Sequence, residues 1–543
     1  MGDVEEDREF THADDLAEHT RAGAHETSAG YHALLEVEDG LPLKQNHARR
    51  SFLVGGPMAL LRWILSLKVS TTAVGAADAD DRPFLRSLFN FPEPDLALRS
   101  TAWLDGLRGL AAFEVFIFHY DDGWITRTLS FGSGENNSSP EWYYMPFVRT
   151  IYTSGDASVC LFFAISGYVL AHNLLVLLRR QEYQKLYWSL TSAIFRRAIR
   201  LYMPVLIETF ILMLLCRLFG VPKAMPYEDA PSFLAELWEW CRQSTQEMLP
   251  QQKEALKMIN RYDGGISWTI PLEYYGSLQI YTAVLFLSQI QNFAIRQLLL
   301  CMWIAKSFAR DDWIAFQFLI GMALADYYLQ CAQEDHRPWL QSRKLRSRLF
   351  AAIFIFGFYL SGLPPCFFGD KDNIAQTLVP RPYFDWLIQP LAYLGFYDER
   401  RMDRYLMCLA SLCCLVAVPE VEYLKRIAES RIVQYLGKIS FGLYLCHIFI
   451  RAWLNPVKLA SFWLLGIDAE SPDGVSHLRW FCAYLLFMAV AVIVNCIVAG
   501  LFERFLDKPS IRAGKIFEQW CLSKNDSSSL GTRTSLPTHS RHW

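Results

Sequence analysis

The chain has 543 residues, of which 52% are hydrophobic and 15% aromatic, including 17 tryptophans. That apolar share is more than a soluble core hides, and it points to lipid as the surroundings. A formal net charge of −3 excludes a global pull toward nucleic acid or anionic membrane, so the placement of individual lysines and arginines carries the information.

The start, MGDVEEDREFTHADD, is acidic and has no apolar stretch, so no cleavable secretory signal is expected and the first span acts as an internal anchor. Residues 1–98 read as a partly disordered tail. Within it, PMALLRWILSLKV (Pro57–Val69) has the spacing of an interfacial amphipathic helix. About ten segments then approach the length a bilayer requires: Leu104–Ile125, Val159–Leu178, Ile199–Phe219, Trp268–Leu287, Phe293–Phe308, Trp313–Ala332, Leu349–Gly362, Tyr405–Val418, Val433–Leu454 and Trp480–Phe502. RPYFDWLIQP (Arg381–Pro390) suits a re-entrant or interfacial element. Residues 511–543 end in a Ser/Thr-rich run typical of disorder. The fold expected is therefore all-α: a polytopic transmembrane bundle over residues 99–510, between two tails.

Arginines and lysines collect after the second predicted span (Arg179, Arg180, Lys185, Arg196, Arg197, Arg200) and after the sixth (Arg337, Arg343, Lys344, Arg346, Arg348). With ten spans both clusters share a side with the two termini, and the positive-inside bias makes that side cytosolic. The loop after the first span carries overlapping sequons at Asn136 and Asn137 and falls on the opposite, glycosylation-competent face. Most of the 13 cysteines lie in apolar runs without metal-ligand spacing; they read as reduced and buried, and no metal site is expected.

The first span, LDGLRGLAAFEVFIFHY, holds Asp105, Arg108, Glu114 and His119, and charges inside a bilayer are expensive enough to imply a task. Arg108 and His119 share one helical face, separated by about 16 Å along the axis. Glu273 in the fourth span and His447 in the ninth are expected at the depth of His119, with Arg108, Arg197 and Arg200 at the cytosolic mouth. Each has a plainer reading alone: helix packing for the histidines, charge pairing for Glu273, a topology anchor for RRAIR. Together they suit acyl transfer. An imidazole takes a proton from an alcohol attacking a thioester, a carboxylate fixes the imidazole tautomer or holds the acceptor, and guanidiniums bind the phosphates of a nucleotide-linked donor. Ser166 sits mid-membrane without an evident activating base, which favours direct transfer over an acyl-enzyme.

These blocks resemble the acyltransferase 3 family of polytopic membrane acyltransferases. LDGLRGLAAFEVFIFH resembles its first span, with an Arg and a His separated by ten residues (Arg108, His119). VCLFFAISGYVL, FRRAIRLYMP (Arg197, Arg200, Pro204), SWTIPLEYYGSLQIY, GKISFGLYLCHIFI and FERFLDKP resemble five further blocks, in family order, over about residues 100–510. Thr269, Pro271 and Phe441 depart from the usual pattern, and the wording is similar to that of the branch found in filamentous fungi.

The resemblance implies transfer of an acyl group, usually acetyl, from acyl-CoA to a hydroxyl of a small metabolite or carbohydrate, with a role in secondary-metabolite biosynthesis. It implies His119 as base and Arg108 in donor engagement. Arg197 and Arg200 are the further donor-binding candidates, Glu273 is a third catalytic candidate, and Ser166, Trp268 and His447 are candidates for the substrate side. No permanently bound cofactor and no nucleic-acid partner are expected; the partners are acetyl-CoA or another acyl-CoA, the acceptor and the bilayer of an endomembrane or the plasma membrane. The alternative is a proton-coupled transporter, because buried His, Glu and Arg also mark ion pathways; the chain lacks the internal repeat such proteins often show.

Overall fold

The computed structural model describes residues 89–91, 98–133 except 128, 141–248, 260–333, 342–364, 381–393, 399–468 and 475–522. The expected interfacial helix at Pro57–Val69, the sequons at Asn136 and Asn137 and residues 523–543 of the C-terminal tail lie outside them; residues 511–522, expected as part of that disordered tail, are instead helical, within Lys508–Leu522. The described residues contain helices and no strands, so the protein is all-α.

The longer helices are α1 (Ala102–Tyr120), α2 (Gly155–Arg179), α3 (Tyr183–Phe219), α4 (Phe233–Glu247), α5 (Thr269–Leu287), α6 (Phe293–Ala309), α7 (Trp313–Gln333), α8 (Arg343–Ser361), α9 (Asp385–Tyr393), α10 (Glu399–Ala417), α11 (Arg431–Trp453), α12 (Asn455–Leu464), α13 (His477–Phe502) and α14 (Lys508–Leu522). Their starts follow from local chemistry. Side chains of Ser232, Asn292 and Ser342 accept the first orphan N–H groups of α4, α6 and α8, and Asp312 accepts from Ala315 N–H at 2.9 Å at the head of α7.

All ten segments expected as spans contain helix. Among the described residues six stretches are long and apolar enough to cross a bilayer, so the count of ten is not confirmed: Gly155–Arg179, Tyr183–Phe219, Trp313–Gln333, Met402–Glu420, Arg431–Trp453 and His477–Cys521. The other four are α1, α5, α6 and α8. The first carries Asp105, Arg108 and Glu114; α6 has only 17 residues; and α8 opens on four basic residues, Arg343, Lys344, Arg346 and Arg348. The polar residues that make α1 and α5 interesting are the ones that weaken them as lipid-facing segments.

Two packing relationships position the site. α1 and α11 run parallel in close contact: a Cβ on Gly109 would lie 2.3 Å from Gly437 N, and one on Gly437 would lie 2.4 Å from Asp105 O. Only glycine allows backbones this near, the small-residue packing that membrane helices use where no hydrophobic effect drives them together. On the far side, Arg296 of α6 and Arg179 of α2 both grip the buried Asp326 of α7, at 2.8 and 2.7 Å.

Candidate active site

The shared wall of α1 and α11 carries the polar residues that drew attention in the sequence. Arg108 donates from Nε to Ser440 Oγ and from a terminal nitrogen to Gly437 O, both at 3.1 Å. It also pairs with Asp105 at 3.3 Å, and about a third of its side chain stays accessible, 37%. Toward the other end of α1, the ring of His119 faces that of His447, with centroids 5.0 Å apart.

His447 is fully buried. Its Nδ1 lies 2.8 Å from Tyr444 O and 3.2 Å from Leu443 O. Both partners are carbonyls, so Nδ1 carries the proton and Nε2 is left as a bare acceptor. That nitrogen has no hydrogen-bond partner among the described residues. The backbone around His119 is held by Arg451, which donates to His119 O at 2.6 Å and pairs with Asp122 at 3.2 Å.

Glu273, on the first turns of α5, does not meet the histidines as the sequence suggested. Its carboxylate accepts from Ser166 Oγ of α2 and from Arg197 of α3, and Arg108 is a further charged neighbour. Arg197 also donates to Ser277 Oγ at 3.0 Å, and Ser277 Oγ donates back to Glu273 O at 2.7 Å. Arg200 and Arg108 both act electrostatically on Asp507, which lies in the π-helical turn Glu503–Asp507. Thus Glu273 belongs with the guanidiniums. The physical reason is direction: α5 begins at the level of Tyr444, where Thr269 Oγ1 donates to the Tyr444 hydroxyl at 3.0 Å, and runs from there toward the level of Ser440 and Arg108.

Of the remaining candidates, Trp268 is half-buried at the end of the turn that leads into α5, close in sequence to that Thr269–Tyr444 contact. Ser166 is tied to Glu273. Three participants were not singled out from the sequence: Ser440, Arg451 and Asp507. Ser440 and Asp507 stand within the motifs GKISFG and FERFLDKP, so their polarity was the available signal; Arg451 reads in sequence only as a charge ending a span. Among the described residues no group of three or more His, Cys, Asp or Glu side chains is arranged to hold a metal ion.

The arrangement has two chemically distinct ends. One gathers Arg108, Arg197 and Arg200 against Glu273 and Asp507; the other presents an imidazole pair. A family model described as an acyltransferase domain matches residues 101–499. The chain belongs to the acyltransferase 3 family. This acyltransferase is therefore an acyl-transferring enzyme and a membrane protein.

It is similar to the O-acetyltransferase PaAT-1 of Phomopsis amygdali, 24% identical over 77% of this chain and 84% of that one. It is also similar to acyltransferase R4 of a Phoma species, 24% identical over 76% and 94%, and to acyltransferase clz18 of Cochliobolus lunatus, 23% identical over 75% and 94%. No solved structure matches it.

Proposed function

We propose that this acyltransferase moves an acetyl group from acetyl-CoA to a hydroxyl of a small metabolite or carbohydrate, in secondary-metabolite biosynthesis, with His119 as general base. One observation carries the reading: Arg108 and His119 both lie against α11, the guanidinium beside Ser440 and the imidazole beside His447. A long donor with phosphates at one end and a thioester at the other suits such a wall. Arg108, Arg197 and Arg200 supply fixed positive charge for the phosphates, with Glu273 and Asp507 holding those arginines in place. The acetyl choice is supported by the resemblance and by the similarity to the O-acetyltransferase of Phomopsis amygdali.

In this reading the acceptor hydroxyl gives its proton to His119 as its oxygen attacks the thioester carbon. The tetrahedral adduct collapses, the C–S bond breaks, and the imidazolium returns the proton to the leaving sulfur. One C–O bond replaces one C–S bond and no acyl-enzyme forms. His447, with Nδ1–H committed to carbonyls and Nε2 bare, takes the orienting role that the sequence suggested for Glu273. The acyltransferase domain is assigned to residues 99–510, with donor entry and both termini on the cytosolic side.

The test is purified full-length protein in detergent with radiolabelled acetyl-CoA. Wild type releases or transfers label and folded His119→Ala does not; normal turnover by that variant overturns the assignment. Substrate flux in proteoliposomes without any acyl donor would favour transport instead.

A further inference from the structure

Near the His119 end of α1, the protein buries two guanidiniums that pair with no carboxylate among the described residues. Arg149 is 0% and Arg381 2% exposed, and each feels the other's charge. Arg149 donates to two carbonyls, Leu129 O at 2.5 Å and Arg127 O at 2.8 Å, leaving Nε without a partner. Among the described residues Arg381 leaves both Nε and a terminal nitrogen, Nη2, without one. Carbonyl dipoles satisfy donors but supply no net charge. Among the described residues no carboxylate oxygen is bonded to either guanidinium: Asp385 accepts only the backbone N–H of Arg381, at 3.2 Å, Asp121 accepts from Tyr484 with one oxygen and leaves the other without a partner, and Glu141 leaves Oε2 without one. The electrostatic neighbours of Arg149 besides Arg381 are the phenols of Tyr152 and Tyr144. Burial pulls Arg149 down to about 10, so it remains a cation at neutral pH.

Two adjacent buried cations repel, and a buried charge persists only when something of opposite sign compensates it. Elsewhere this protein follows that rule: Arg179 and Arg296 share Asp326, and Arg197 has Glu273. Arg149 and Arg381 have unused N–H groups of the type that grips oxyanions.

The position indicates whose anion it is. The chain after α1 links this pair to the base: Arg127, whose carbonyl holds Arg149, lies over the Phe118 ring at 3.9 Å and donates to Phe118 O at 3.2 Å, one residue before His119. We propose that Arg149 and Arg381 form an oxyanion site that binds a carboxylate or phosphate carried by the acyl acceptor. This rests on the reading above in which the acceptor meets His119, and it adds a substrate class: an acidic alcohol rather than a neutral one.

Inorganic phosphate is the first probe, titrated against chloride at constant ionic strength into the full chain in a non-ionic detergent, with thermal unfolding as the readout. Wild type and Arg381→Lys are expected to show a saturable rise in Tm, and Arg381→Gln to need roughly tenfold more phosphate for it. An unresponsive wild type, or an unchanged midpoint in Arg381→Gln, overturns the site. Should Arg381→Gln fail to fold, Arg149→Lys serves in its place, expected to shift the midpoint upward; no shift overturns the site equally. Micelles doped with phosphatidic acid separate the sources. If that lipid raises Tm and inorganic phosphate does not, the occupant is a lipid headgroup and the acceptor assignment is overturned. A saturable phosphate response in a wild type without acyl transfer would leave the site standing while the proposed reaction fails.

Discussion

The imidazoles of His119 and His447 face each other across the α1–α11 seam, 5.0 Å between ring centroids, and only one of them has its protonation pattern fixed by the backbone. His447 donates from Nδ1 to the carbonyls of its own helix, so it presents an acceptor nitrogen next to a ring free to act. His119→Ala is expected to lower kcat/KM for acyl transfer by roughly 10²–10⁴-fold, the usual worth of a general base. His447→Gln is expected to reduce kcat while leaving the KM for acetyl-CoA near wild type, because it touches the base and not the donor's phosphates. Steady-state kinetics on the purified variants decides; a His447→Gln variant with a raised donor KM and normal kcat would place that residue at the wrong end.

Arg197 and Glu273 form an ion pair whose side chains are 13% and 15% exposed. Removing one member of such a pair strands a charge, whereas removing both leaves a poorer but neutral contact. Arg197→Met and Glu273→Met are each expected to cost about 3–5 kcal/mol, and the double variant less than the sum. Denaturation in mixed micelles gives the three free energies, and a double-mutant cycle isolates the coupling. Strict additivity would mean the two groups do not depend on one another.

Much of the helical frame, and the pairing of Arg108 with His119 on one face, was legible in the sequence, because both rest on periodicity and charge cost. Inter-helix registration was not legible. The partner of Glu273 turns on how far α5 descends past α11, which single-helix periodicity does not encode. The same holds for Arg149 and Arg381, which in sequence read as two ordinary arginines; only burial makes them unusual. The count of ten spans is not confirmed for a related reason, since the polar residues of α1 and α5 lower their hydropathy.

Gly109 is expected to tolerate no side chain. Its Cβ position lies 2.3 Å from Gly437 N and 2.9 Å from Gly437 Cα, backbone that has no rotamer to yield. Gly109→Ala therefore forces α1 away from α11, at an expected cost of about 1–3 kcal/mol, and disturbs both the Arg108–Ser440 and His119–His447 contacts. Ser440→Ala removes two hydrogen bonds, the one accepted from Arg108 Nε and the one donated to Gly437 O, without moving a helix. Folded yield and Tm should drop for the glycine variant and hold for the serine variant, whose expected signature is a several-fold higher KM for acetyl-CoA. Equal thermal stability of the two would show that the seam is looser than its geometry indicates.

Asp263, in the turn that leads into α5, is buried with Glu247 beside it and Glu208 of α3 close enough to act on both. Among the described residues neither oxygen of Glu208 has a hydrogen-bond partner. Burial and the Glu247 charge push Asp263 up to about 7, against bonds from Gly265 N–H and Ser267 N–H that favour its anion; burial also raises Glu247. A free Asp titrates near pH 3.9, so between that value and about 7 the folded chain binds more protons than the unfolded chain. Stability must then fall as pH rises through that window and level off above it. Asp263→Asn removes the titration but leaves only one carbonyl oxygen for the two backbone donors. Its Tm is expected to lie below wild type at pH 5 and to close on it by pH 8, a convergence read from thermal unfolding across that range. A wild-type Tm flat over the same interval would mean the cluster is hydrated or already paired in solution, and the turn into α5 would then owe nothing to a shared proton.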